Sequence, residues 1–160
     1  MKLALIRAGF AAIAVSVGMV CCPAFARDGL KGTTLVIASG TCSQFTISGQ
    51  SYPSCSPITY FHTKTHRVGW FFAMPHREVL MLAGSRDKHF GSSRYIFQVD
   101  ELRMQRVNSN KPQAAYGECS SRDSPDGVFL YSLRCFALSG DLRVIIKFSG
   151  NGQPVYQKTF

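Results

Sequence analysis

Four cysteines raise the first chemical question. In "GECSSRDSPDGVFLYSLRCFA", residues 117–137, Cys119 and Cys135 flank a Pro125-Asp126-Gly127 turn. Cys42 and Cys55 flank "SQFTISGQSYPS" in the same manner. Thiols so placed serve as metal ligands, as a redox couple, as a nucleophile or as cross-links. A structural zinc site wants closely spaced pairs such as C-x2-C. A thioredoxin-like couple wants C-x-x-C at a helix start. The chain has neither, which leaves cross-links as the expected use.

Other residue types were weighed for catalysis and binding. His62 and His66 form H-x3-H, a spacing that presents two imidazoles on one face of a helix. Here they lie in "YFHTKTHRVGW", which reads as strand, turn, strand. His76 or His89 would have to join them, and no Asp or Glu lies nearby in sequence, so they are weak metal candidates and no cofactor is expected. Acyl-transfer chemistry needs an activated Ser or Cys, a His and a carboxylate; no G-x-S-x-G elbow occurs. Asp100 and Glu101 are adjacent and would point to opposite faces of a strand, a poor acid–base pair. No catalytic residue is assigned and the chain is not expected to be an enzyme.

Charge is the more suggestive property. The chain carries 18 Lys+Arg against 9 Asp+Glu, a formal net charge of +9. Lys64 with Arg67, Arg86 with Lys88, and Arg103 with Arg106 form small clusters interleaved with Tyr52, Tyr60, Tyr95 and Tyr116. These six cations are the candidate anion-binding residues, suited to an anionic polymer, a lipid head group or an acidic protein surface. The bland alternative is plain solubility charge, since the basic residues are spread rather than blocked.

The compartment follows from the opening "MKLALIRAGFAAIAVSVGMVCCPAFA". Lys2 and Arg7 precede an uncharged apolar run, and Ala24-Phe25-Ala26 sets small residues before a cut at Arg27. That is the layout of a secretory signal peptide over residues 1–26. The apolar run is short for a bilayer span, which needs about 20 residues, and no other segment is long and apolar enough. Export to the periplasm or medium is therefore expected, with nucleic acid not an expected partner. Removing residues 1–26 also removes Cys21 and Cys22, so Cys42, Cys55, Cys119 and Cys135 remain. Even parity in a small exported domain favours two disulfides.

Four cysteines allow three pairings, and turn placement favours 42–55 and 119–135. A regular hairpin turning at Gly49-Gln50 leaves the first pair about two positions from facing. A turn at 124–127 leaves the second about three positions out, which requires a bulge or an asymmetric loop.

The elements that must carry these residues read as strands. In "DLRVIIKFSGNG", Leu142, Val144, Ile146 and Phe148 share one face, and Arg143, Ile145 and Lys147 the other. With the preceding "VFLYSLRCFAL" and a Ser139-Gly140-Asp141 turn, residues 128–149 form a hairpin. Further strands are expected at 33–38, 45–48, 57–63, 67–74, 78–83, 93–99 and 114–119. "DELRMQRV", residues 100–107, fits either a strand extension or two helical turns. About eight short strands imply one all-β domain over residues 27–160, an antiparallel barrel or sandwich.

The chain resembles a loose group of small exported alphaproteobacterial proteins of unassigned activity. The resemblance rests on Thr41-Cys42, Ser48-Gly49-Gln50, "TYFHT" at 59–63, "YIFQVD" at 95–100, Gly117-Glu118-Cys119, Asp126-Gly127 and "SGNGQPV" at 149–155. It implies export and a β fold and supplies no catalytic residues. The expected function is a non-catalytic binding domain of the cell envelope with an anionic or protein ligand. The alternative is an inhibitor or structural envelope component acting through an exposed loop at 62–67 or 84–93. A small hydrolase or metal-dependent enzyme ranks third.

Overall fold

Alternation with a period of two carries through to three dimensions along most of the chain. A computed structural model describes residues 31–105 and 111–160. The leader at 1–26 and Arg106 lie outside the described residues. Among the described residues twelve strands follow one another: β1 (Thr34–Ala38), β2 (Gly40–Ile47), β3 (Gln50–Ser51), β4 (Ile58–His62), β5 (Val68–Ala73), β6 (Val79–Gly84), β7 (Arg86–Phe90), β8 (Arg94–Gln105), β9 (Pro112–Asp123), β10 (Leu130–Ser139), β11 (Leu142–Gly150) and β12 (Tyr156–Thr159). The only helical element among the described residues is a short 3-10 turn, Pro75–Arg77.

All pairings are antiparallel and belong to one sheet, ordered β12-β1-β4-β5-β6-β8-β9-β10-β11-β2-β3, with β7 also on β8. The sheet is a curled half-barrel. Its curl has a simple origin. β1 lies next to β4 while β2 lies next to β11, at the far side of the strand order, yet only Ser39 separates them. The chain therefore carries both sides of the sheet to one corner. That corner is fastened by the Asn151 amide donating to the Ser39 carbonyl (3.2 Å) and the Gly40 amide donating to Ser56 Oγ (3.3 Å).

The concave face holds the core. Phe45, Phe72, Phe97, Phe148, Leu80, Leu82, Leu102, Leu133 and Ile146 are fully or almost fully buried. In β11 the expected face is the inner one: Val144, Ile146 and Phe148 are buried and Arg143 and Lys147 exposed. The alternating outer positions of β9 and β10 include the exposed Tyr116, Phe136 and Leu138.

Both disulfides join the expected partners. Cys119 and Cys135 face each other across β9 and β10, with Cα atoms 4.1 Å apart. The three-residue discrepancy is absorbed by a register shift between Leu130 and Ser132 and by the loop at 124–129. Cys42 and Cys55 lie 5.9 Å apart between Cα atoms. Their hairpin turns at Ser48-Gly49, one residue earlier than expected. Both residues have positive φ, 49° and 83°, as a two-residue type I′ turn requires. The resulting pairs Thr46–Ser51 and Ile47–Gln50, continued outward, set Cys42 opposite Cys55.

One segment differs from expectation, and one that was open is resolved through Gln105. Residues 84–93, read as an exposed loop, contain β7, which pairs with β8 from Arg86–Gln98 to Phe90–Arg94. Only 91–93 form the turn. "RDKHF" has no apolar alternation to announce a strand; the ladder to β8 sets its conformation. β6 and β7 share one register on β8 and meet at Gly84, where an added Cβ would lie 1.8 Å from the Gln98 carbonyl oxygen. The ambiguous 100–107 stretch extends β8 through Gln105; residues 106 and 107 are outside the described residues.

Candidate functional site

Inward-facing residues near one end of the curled sheet leave a cavity of about 150 Å3. Cross-strand register brings its walls together in two rows. Val36 faces Tyr60, and Tyr60 faces Trp70, on β1, β4 and β5. His89 faces Tyr95, and Tyr95 faces Ser121, on β7, β8 and β9. Directly opposed side chains share a face, so each row lies wholly on the concave side. Asp123, two residues beyond Ser121, keeps that face and completes the wall.

The rings meet at steep angles. Tyr60 and Trp70 have centroids 5.0 Å apart and planes 50° apart. Tyr60 and Tyr95 are 5.8 Å apart at 85°, edge to face, and the Tyr60 hydroxyl donates to the Tyr95 hydroxyl oxygen at 3.0 Å. His89 lies 4.7 Å from Tyr95 at the rim. Trp70 is only 4% exposed, and among the described residues its indole N–H has no acceptor. A buried donor left unpaired costs about 1–3 kcal/mol, so this residue is not explained by core packing alone.

The lip is a well-made turn. Asp126 accepts from the Ser124 hydroxyl and from the Val128 amide at 3.1 Å. Ser124 Oγ in turn accepts from the Phe129 amide at 2.9 Å. Gly127 takes φ 72°, a conformation that favours glycine. Gly127 and Phe129 thereby reach the cavity.

Asp123 is the one carboxylate lining the cavity among the described residues. Burial pushes its carboxyl above the ordinary carboxylate value, opposed by the Ser121 hydroxyl, which donates to Oδ2 at 3.3 Å, and by the nearby His89 charge. A raised folded-state value means that the native protein holds the proton more tightly than the unfolded chain. Stability therefore falls as pH rises from the ordinary carboxylate range through the raised value. Asp123→Asn keeps an acceptor for Ser121 and removes the titration. Urea denaturation across pH 3–7 should show the stability of the variant relative to wild type rising with pH, its advantage greatest at the upper end. A variant profile parallel to wild type would contradict this assignment.

No family model, curated protein or solved structure matches the chain. The site therefore rests on its own geometry.

The cations singled out in the sequence are placed differently. Arg67 and Arg103 do come together, but around acids: Arg67 Nη2 lies 2.9 Å from Asp100 and 2.6 Å from Glu101, and Arg103 Nη2 lies 3.0 Å from Glu101. Two cations and two carboxylates make a locally neutral cluster. Asp100 and Glu101 can both reach Arg67 because the β8–β9 register shifts between Val99 and Glu101, which breaks the strict alternation of faces. Lys64 is exposed in the β4–β5 turn, its aliphatic stem over Gly32. Arg86 and Lys88 lie on β7, and Arg106 is outside the described residues.

The His62 and His66 rings are 6.1 Å apart. Among the described residues no group of three His, Cys, Asp or Glu side chains is placed to hold a metal ion. His76 lies in the 3-10 turn and His89 in the cavity wall.

The cavity itself was missed, although one signal was present. "CSSRD" puts Cys119, Ser121 and Asp123 at every second position of β9, so two polar residues follow a buried cysteine on the inner face. Polar residues at core-facing positions near a strand end mark a site rather than a core.

Proposed function

We propose that this chain is an exported, non-catalytic binding domain of the cell envelope, and that its ligand is a small organic molecule held in the aromatic cavity. The observation that carries the reading is a concave, mostly apolar site with a few convergent polar groups, the usual composition of a ligand pocket. Placement in the periplasm or medium is supported by the leader-like residues 1–26 and by two disulfides, which persist in oxidising compartments. No described helix is long and apolar enough to cross a membrane.

Catalysis has less support. Ser121, His89 and Asp123 share the cavity, but Ser121 gives its hydrogen to the carboxylate. A nucleophile relay needs that hydrogen on an imidazole, with the carboxylate behind it. An anionic ligand on the basic surface also loses ground, because Arg67 and Arg103 are already paired.

Trp70 is the only tryptophan in the chain, so its emission reports directly on the cavity. Titration with a panel of cationic, neutral and anionic molecules of six to ten non-hydrogen atoms should give a saturable change in emission and a matching rise in melting temperature. A panel in which no compound changes either would overturn the reading.

A second reading keeps one observation of its own. The β4–β5 turn within 62–67 is braced by the Thr63 amide donating to Arg67 O (2.9 Å) and the Arg67 amide donating to Thr63 Oγ1 (3.1 Å), and it exposes Lys64, Thr65 and His66. A rigid protruding turn suits an inhibitor.

A further inference from the structure

We infer that the cavity selects a small methylated ammonium, held by the rings of Tyr60, Trp70 and Tyr95 and by the carboxylate of Asp123. The inference rests on the cavity reading above and adds the chemical class of its ligand.

Three features converge on a cation. First, Tyr60, Trp70 and Tyr95 all line the space. With Tyr60 inclined 50° to Trp70 and 85° to Tyr95, the rings form a corner. Aromatic faces carry negative potential, and several rings around one point favour a quaternary or methylated ammonium over a neutral group of the same shape. Second, a carboxylate lines the same space. Asp123 accepts from Ser121, and among the described lining residues only His89 could bring a positive charge to it. A neutral ligand would leave that carboxylate desolvated and uncompensated; an anion would be repelled by both the carboxylate and the rings. Third, size sets a limit. An apolar cavity of about 150 Å3 holds a molecule on the scale of benzene, so the space of about 150 Å3 here admits a trimethylammonium head and a short tail but no polymer.

The alternative explanation for Asp123 is an internal pair with His89, whose charge acts on it. His89 is exposed at the rim, whereas the aromatic corner lies deeper, with Trp70 and Tyr95 buried. An internal pair would account for the carboxylate but not for the three rings.

The test separates charge from shape. Choline, its neutral carbon isostere 3,3-dimethylbutan-1-ol and the anion 3,3-dimethylbutanoate are titrated into the disulfide-intact protein, read by Trp70 emission and by calorimetry. Choline should bind at least about tenfold more tightly than the neutral isostere, and the anion should not bind. Asp123→Asn should weaken choline at least about tenfold while leaving the isostere unchanged, which also shows that the cavity has stayed folded. His89→Gln should retain choline binding. Equal affinity for choline and the isostere, or an Asp123→Asn variant that binds choline as wild type does, would overturn the inference while leaving a neutral-ligand cavity in place. Loss of choline binding in His89→Gln would overturn the assignment of Asp123 as the group that meets the cation, and Tyr95→Leu supplies the second arm. Choline binding undiminished in Tyr95→Leu would overturn the role of the rings. Silence from all three probes overturns the cation as ligand, and the wider panel then decides the cavity reading separately.

Discussion

Replacing Cys119 and Cys135 together by alanine is expected to lower stability by about 3 kcal/mol, seen as a lower midpoint in urea and a lower melting temperature. The bridge closes a segment with a sequence separation of 16, and restricting the unfolded chain over such a loop accounts for the estimate. Its location makes the native side of the balance equally clear. The two residues are 1% and 3% exposed and face each other within an inner row that continues to Phe97 on β8 and Ile146 on β11. Alanine at both positions fits the register without strain, so the loss comes from the cross-link and from the small void left between Phe97 and Ile146.

Reduction of the wild-type protein should lower stability at least as far as the double substitution, because it opens Cys42–Cys55 as well, and reductant added to the variant should remove only the contribution of Cys42–Cys55. A double variant within 1 kcal/mol of wild type would mean that the β9–β10 ladder is already held by its hydrogen bonds, and that the bridge is not a principal staple. The consequence extends to the site. Ser121 and Asp123 are two and four residues beyond Cys119 on the same face of β9, so the bridge fixes the strand that presents the carboxylate.

That link also shows how far the sequence could be read. Cysteine parity, the leader-like start and the alternation in 142–148 are local signals, and each is written into consecutive residues. The disulfide partners followed from them even with an imperfect turn position, because hairpin geometry ties partner to turn. The cavity depends on something else, namely which strand lies beside which. Tyr60, Trp70 and Val36 become one row only because β1 and β5 both flank β4. His89 joins Tyr95 only because the polar "RDKHF" is recruited into a ladder by β8. No periodicity within a single segment reports either fact. The same holds for the paired arginines: Arg67 and Glu101 are 34 residues apart, and a register shift brings both acids to one guanidinium. Clusters counted along the chain therefore suggested an anion site, where the folded arrangement neutralises its two central members.

The strongest check on this arrangement compares two phenylalanines that sequence alone treats alike. Phe97 and Phe136 both sit inside long strands. The register puts Phe97 on the concave face, fully buried, and Phe136 on the convex face, 38% exposed. Phe97→Ala is expected to cost about 3–5 kcal/mol, the transfer of a whole ring plus the void it leaves. Phe136→Ala should cost clearly less, about 1–2 kcal/mol, since its partly exposed ring rests on the sheet surface beside Ile145 with the Arg143 guanidinium at 5.7 Å and leaves no enclosed void. Urea denaturation of both variants measures the difference directly. Comparable losses would mean that β8 or β10 presents the opposite face to the core, and a slip of one residue inverts every side chain on a strand. Tyr95 and Phe97 share the face at issue, their rings 6.3 Å apart. A reversed β8 would therefore turn Tyr95 outward, and the aromatic corner with its selectivity for a cation would vanish together with the core.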